Sequence, residues 1–354
     1  MRQSFYSQFL ALREKIRALR DPRLRKFEER RRRYYHDLWT SSARAVGASA
    51  EDLGNGFQRI ERSGAATYVS DTLVMLDSAL ALKIAGDKPL THRILSRHGF
   101  PLVRFVEYDL SRMEKARRFI RDLRKQVVVK PAASGYAGRG VTTGVFSSAS
   151  LRKASVRATA FRPRLLVEEQ IEGDTIRLLY LDGKFLDAVR RRPPSVVGDG
   201  THTIRGLVRM ENSRRLGGEI VALHPLELDL DAKLFLAAAG RTLREVPEGG
   251  RPVVVKRIAN QNSDRDNDSV RSLVHPSVVE LGAKACRVLD LQLAAVDLIT
   301  PDVSRPLPEV GGVVGEVNTT PALHHHYFLS NRDEVVPVAT LILDFLLSAK
   351  RSWS

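Results

Sequence analysis

The stretch GGVVGEVNTT, residues 311–320, sets a carboxylate and a carboxamide into what otherwise reads as an apolar strand. Side chains alternate along a strand, so Val314, Glu316 and Asn318 are expected on one face and Val313, Gly315 and Val317 on the other. A carboxylate taken out of water calls for a cation, a set of hydrogen bonds or a raised pKa; on a strand with one wet face it needs none of these. LQLAAVDLIT, 291–300, is a continuous apolar run whose one carboxylate is Asp297, the pattern of a strand buried on both faces. If the two strands share a sheet, Asp297, Glu316 and Asn318 offer three oxygen ligands. An oxygen-only set completed by phosphate groups suits Mg²⁺ rather than zinc.

VVVKPAASGYAGRGV, 127–141, reads as a strand ending in Lys130 and a loop of small residues. Gly135, Gly138 and Gly140 let backbone N–H groups approach phosphate oxygens, with Lys130 supplying charge at the base; the same pattern also serves an ordinary hairpin turn. It is neither a P-loop, lacking Gly-Lys-Ser/Thr, nor a dinucleotide fingerprint. LLVEEQIEGD, 165–174, runs from an apolar strand into carboxylates, where a sheet edge either offers groups to a purine and ribose or simply turns at the surface. Arg177, Arg190, Arg191 and Arg192 flank a hairpin turning at Asp182-Gly183, and can hold a carboxylate through paired hydrogen bonds or form a solvated face. His324, His325 and His326 invite a zinc reading, but three consecutive side chains cannot all face one ion. Cys286, in the helical pattern VVELGAKACRVL, reads as a small core residue and excludes an intrachain disulfide.

The elements that position these groups follow from pattern. Helices are expected over 3–20 and 27–47, broken at Asp21-Pro22, then a hairpin over 57–70. A helix over 87–101, a strand over 103–108, a helix over 111–124 and the strand 127–130 come next, with a further helix after Gly198-Asp199-Gly200. VVPVATLILDFLL, interrupted by Pro337 and Asp344, reads as a core-packing terminal helix rather than a membrane span. This mixed order predicts an α+β architecture rather than a doubly wound sheet. The 354 residues, 43% hydrophobic and 28% charged, have room for two or three domains. A start without an apolar leader and a single cysteine suit a reducing cytoplasm. The formal charge is +16, and residues 1–37 hold twelve Lys/Arg against five Asp/Glu, a local net of +7. Such a field attracts nucleic acid, an acidic peptide or a phosphorylated substrate, or is only a solvated helix face. Aromatics are scarce at 6%, and Tyr34, Tyr35 and Trp39 are expected to pack helices rather than stack bases.

In chain order, IAGDKPLTHRIL, VVVKPAASGYAGRGV, VEEQIEGDTIRLLYLDGK, VVGDGTHTIRGL, VVVKRIAN, VHPSVVELGAKA, LAAVDLITPDVSRPLPEVGG and GEVNTTPAL resemble the ATP-grasp superfamily over about residues 80–348. Within it they are similar to the ATP-grasp portion of the cyanophycin synthetases. The resemblance implies two α+β subdomains gripping ATP between them, 81–167 with the Gly-rich loop and 168–354 with the metal site. A basic, mainly helical region over 1–80 precedes them and carries no resemblance. It further implies that Lys88 and Lys130 contact ATP phosphates under a cover formed by Ser134, Gly135, Gly138 and Gly140, and that Glu168, Glu169 and Ile171 hold adenine. Asp297, Glu316 and Asn318 would hold two Mg²⁺ ions, with Mn²⁺ as a substitute. Three departures bear on the substrate. Asp174 lies one place before the ribose-contacting position, which Thr175 fills; Lys256, followed by Arg257, stands where an arginine is expected; and QNSDRDND, 261–268, replaces a glycine-rich segment. No counterpart of a Mur-ligase-like half is expected in these residues.

The implied reaction is carboxylate–amine ligation through an acylphosphate. Lys256 or Arg257 would stabilise the tetrahedral charge, and Arg177 and His326 would bind a small-molecule or acidic peptide substrate. Two other readings stay open: a phosphotransferase that stops at phosphorylation, and a basic nucleic-acid-binding protein with a degenerate ATP site. The intact lysines and metal-ligand positions argue against the last, so neither nucleic acid nor membrane is the expected partner. A homo-oligomer stays open.

Overall fold

The computed structural model describes residues 2–133, 138–218 and 223–348. Helices Arg2–Arg20 and Pro22–Ala45 break where expected: Asp21 accepts the Arg23 amide at 2.9 Å and Pro22 opens the second helix five residues earlier than the apolar pattern suggests. In place of one hairpin, a four-stranded antiparallel meander forms from Ser49–Gly54, Phe57–Arg62, Ala65–Ser70 and Leu73–Val74, the first of its two added strands turning at Asn55-Gly56.

Two further antiparallel sheets carry the α+β fold. The smaller runs in the order Phe105–Tyr108, Leu165–Glu169, Val127–Pro131, Thr142–Val145. Its inner residues Val127, Val129, Val145, Leu165 and Val167 pack against Ala116, Leu151, Ala154 and Ala158 of two helices, Met113–Leu123 and Ser148–Thr159. The larger has five strands, ordered Asn267–Ser269, Lys184–Arg191, Asp174–Leu181, Leu293–Thr300, Val313–Thr319.

Both faces of the larger sheet are covered, which is why LAAVDLIT reads as apolar throughout. On one face Ile176, Leu178, Val296 and Leu298 meet helix Pro276–Val288, together with Ala81, Ala85 and Leu95 of the helices Ala79–Gly86 and Lys88–Arg97. On the other, Leu179, Leu181, Leu293 and Ala295 meet helix Val338–Ser348 and, from helix Pro22–Ala45, Tyr35 and Trp39. Each such fully buried large side chain contributes about 1.5–3 kcal/mol. Cys286 is 1% exposed on the first face, and burial pushes its thiol up to about 12, so it is inert packing.

The strand pairing corrects one expectation. Asp297 pairs with Glu316 but Leu298 pairs with Val314, so Gly315 is the extra residue of a bulge. Alternation resets there: Val314 packs with Leu298 in the core, and only Glu316 and Asn318 share the face of Asp297. Nearby, Gly173 (φ +135°) lets the turn before Asp174 lie against the end of the neighbouring strand; a Cβ there would sit 2.4 Å from the Thr300 carbonyl carbon. Among the described residues no helix is long and apolar enough to cross a membrane.

Candidate active site

A cleft of about 770 Å³ opens between the two sheets. Along the face of the large sheet that buries Leu293 and Ala295, the next alternate residue is Asp297, which lines the cleft. Asp297 stands in register with Glu316 on one neighbouring strand and with Arg177 on the other. Arg177 grips it bidentately, Nε to Oδ1 at 2.8 Å and Nη2 to Oδ2 at 2.7 Å, while Asn318 Nδ2 donates to Oδ2 at 2.9 Å. Burial works against the Arg177 charge, but Asp297 outweighs it and holds the guanidinium above its ordinary value.

Lys88 reaches the same spot from the first turn of its helix, which Asp87 caps by accepting the Leu90 amide at 3.0 Å. Its ammonium forms an ion pair with Glu316. Across the cleft Lys130, at the end of its strand in the small sheet, pairs with Glu168 at 2.7 Å. Gly138 follows with φ +72°, and a Cβ there would lie 2.4 Å from Asn260 Nδ2, so the loop lies directly on Asn260. Ser134 and Gly135 lie outside the described residues.

The donor set fits a hard divalent cation: two carboxylates and a carboxamide, in register on adjacent strands, with no sulfur or imidazole among them. Among the described residues no three His, Cys, Asp or Glu gather as metal ligands. The three side chains are therefore too few for an all-protein cage and suit ions shared with phosphate oxygens.

Several expected site residues lie elsewhere, each for a local reason. Glu169 points off the cleft to Arg104 (2.9 Å) and Lys125 (3.1 Å), because alternation puts only Glu168 inward. Asp174 turns to Arg190 at 3.5 Å, and Thr175, the next residue, faces the cleft. Ile171 is not on the wall. Lys256 is 1% exposed and tied to Asp229 and Gln261 at 3.2 Å, and Arg257 pairs with Glu172 at 2.7 Å on the surface; Asn260 and Asn262 of the same segment line the cleft instead. His326 is fully buried with Nδ1 2.7 Å from Asp187. The turn Leu323–His326 sends His324 and His325 to the cleft. Tyr35 holds His324 at Nδ1 from 2.9 Å. Burial, followed by nearby Arg31 for His324 and Arg191 for His325, pushes both imidazoles well below their ordinary value, so they are neutral.

The arginine run resolves into three roles. Arg190 pairs with Asp174 and Asp268, and Arg192 with Asp268. Arg191 is 6% exposed, lines the cleft and has a buried Nε without a hydrogen-bond partner; burial and then Arg177 push it down to about 9. Phe27 and Arg31 of helix Pro22–Ala45 complete the wall, the Phe27 ring tilted against that of His224 with centroids 4.9 Å apart.

No family model matches the sequence. The chain is 31% identical over 278 residues to cyanophycin synthetase of Trichormus variabilis, covering 77% of this chain and 30% of that protein. It is 25% identical over 314 residues to the glutathione biosynthesis bifunctional protein GshAB of Listeria innocua, covering 87% and 40%. The chain thus spans between 30% and 40% of the length of these curated relatives. Among solved structures, a bifunctional glutathione synthetase from Pasteurella multocida shares the fold with a TM-score of 0.55 at 24% identity, over 86% of this chain and 43% of that one. With two sheets enclosing a cleft of paired lysines and oxygen ligands, and with these similarities over most of its length, the chain belongs to the ATP-grasp superfamily.

Proposed function

We propose that the protein is a cytoplasmic ATP-dependent ligase that joins the carboxylate of an amino acid or acidic peptide to an amine through an acylphosphate. The observation that supports this most is the convergence of Lys88, Lys130, Arg177, Asp297, Glu316 and Asn318 on one cleft. Lys88 and Lys130 would take the phosphate oxygens of ATP, with the backbone around Gly138 and Gly140 over them and Glu168 toward the base. Asp297, Glu316 and Asn318 would hold two Mg²⁺ ions, or Mn²⁺ in their place, which when bound neutralise phosphate charge. Arg191, a buried cation that makes no ion pair among the described residues, is placed to orient the substrate carboxylate. One oxygen of that carboxylate attacks the γ-phosphorus, the P–O bond to ADP breaks, and the amine nitrogen then displaces inorganic phosphate from the acyl carbon. Alignment and charge neutralisation are what the chain contributes. His324 and His325, held neutral, add no positive charge to repel an amine substrate that arrives as its ammonium. The relatives' names, a synthetase and a glutathione biosynthesis protein, accord with this reading.

The test is ADP release across a panel of amino acids and acidic peptides with Mg²⁺ and hydroxylamine. A hydroxamate is expected. ADP formed only with an alcohol acceptor, and no hydroxamate, would replace the ligase with a phosphotransferase.

A further inference from the structure

We infer that a basic groove abutting the cleft docks an extended, carboxylate-rich peptide, the tail of a substrate whose reactive end enters the cleft; this rests on the ligase reading above. The groove, about 450 Å³, lies among helices Pro22–Ala45, Ser148–Thr159 and Ile204–Gly217 and the start of helix Leu230–Ala238. Arg23, Arg157, Arg205, Arg209 and Lys233 line it against two carboxylates, Glu227 and Asp229.

Asp229 is already engaged, by Lys256 at 3.2 Å, Arg157 at 3.4 Å and the Ala232 amide at 3.1 Å. Among the described residues Arg205, Arg209 and Lys233, all exposed, make no ion pair. Arg205 and Arg209 stand one turn apart on the same helix face, an arrangement in which like charges repel and which an anionic guest relieves. Arg157 adds a buried Nε without a hydrogen-bond partner.

The other walls decide the class of guest. Val208, Leu226, Leu228 and Leu230 are aliphatic, and among the described lining residues no aromatic ring is present to stack a base, so the lining matches an acidic peptide rather than single-stranded nucleic acid. Continuity supplies the link to the chemistry. Arg23 of the groove lies one helical turn before Phe27 of the cleft, and the segment from His224 to Leu226 passes from one to the other.

The experiment is fluorescence anisotropy of a short fluorescein-labelled polyglutamate on the full chain, at low and physiological salt. A single-stranded oligonucleotide of equal charge is the comparison. Binding that weakens with salt is expected. The double variant R205E/R209E changes exposed, unpaired residues; it should lose at least about tenfold in peptide affinity with MgADP affinity unchanged. Equal peptide affinity in that variant, or tighter binding of the oligonucleotide, overturns the inference. Peptide binding without any ADP release removes the ligase reading and leaves the groove; ADP release on amino acids with no peptide binding removes the groove and leaves the ligase.

Discussion

Glu316→Ala separates a ligand from a structural strut. The Glu316 carboxylate meets Lys88 across 228 residues of chain, and the two side chains are 28% and 12% exposed. A pair that still sees solvent is worth about 0.2–1 kcal/mol, and the lysine left behind can rehydrate rather than stay buried without a partner. A loss of that size lowers Tm by no more than about 2–4 °C. Turnover is set on another scale. Removing one preorganised charge from a phosphoryl-transfer site costs on the order of 10²–10³ in rate, about 2.7–4 kcal/mol. Steady-state ADP release at saturating ATP and Mg²⁺, read beside a thermal melt, should therefore drop by about two to three orders of magnitude with the melt nearly unmoved. Glu316→Gln, which keeps an oxygen but not the charge, should fall between. A folded Glu316→Ala protein that turns over within about tenfold of its parent refutes the assignment. A collapse of the melt large enough to account for the lost activity refutes it equally.

Three further outcomes are expected. Arg191→Leu removes a buried, unpaired cation, so urea denaturation should show a gain of about 1–3 kcal/mol while KM for the carboxylate substrate rises. His324 and His325 have folded pKa values below their ordinary 6.5, so the unfolded chain takes up protons the fold refuses as pH drops through that value, and stability falls on acidification. His325→Gln should flatten the decline in Tm on going from neutral pH down through that value. Gly138→Ala forces a Cβ to within 2.4 Å of Asn260 Nδ2 at a φ of +72°, and should raise KM for ATP by about tenfold, a cost of about 1–2 kcal/mol.

What the sequence disclosed follows the range over which each signal acts. Glu316, Asn318 and Asp297 were legible because one polar residue in an apolar strand is a local anomaly, and two such anomalies share a sheet. Val314 was misplaced because a bulge at Gly315 is a property of the pairing, not of the strand alone. Arg177 was legible as a site cation, but not as the bidentate partner of Asp297 from the strand alongside, which depends on register between segments 120 residues apart. Among the arginines at 190–192 strand alternation was visible, yet which face held Asp174 and Asp268 was not, and those carboxylates leave Arg191 as the one of the three without an ion pair among the described residues. The histidine trio illustrates the same limit: a short turn, not a strand or an α-helix, sets which ring faces inward, and neither the 2.0 nor the 3.6 period applies.

Opposed side chains in the cleft come already matched, lysine to glutamate twice and arginine to aspartate once. A lone dication finds its acids occupied, and a lone polyphosphate finds three of the cations committed. On the ligase reading, only a guest carrying both signs at once would part Lys88 from Glu316 and Arg177 from Asp297 without stranding a charge in a half-dry space. On that reading, selectivity for the metal-loaded nucleotide over either component alone would follow from these pairs, before any substrate arrives.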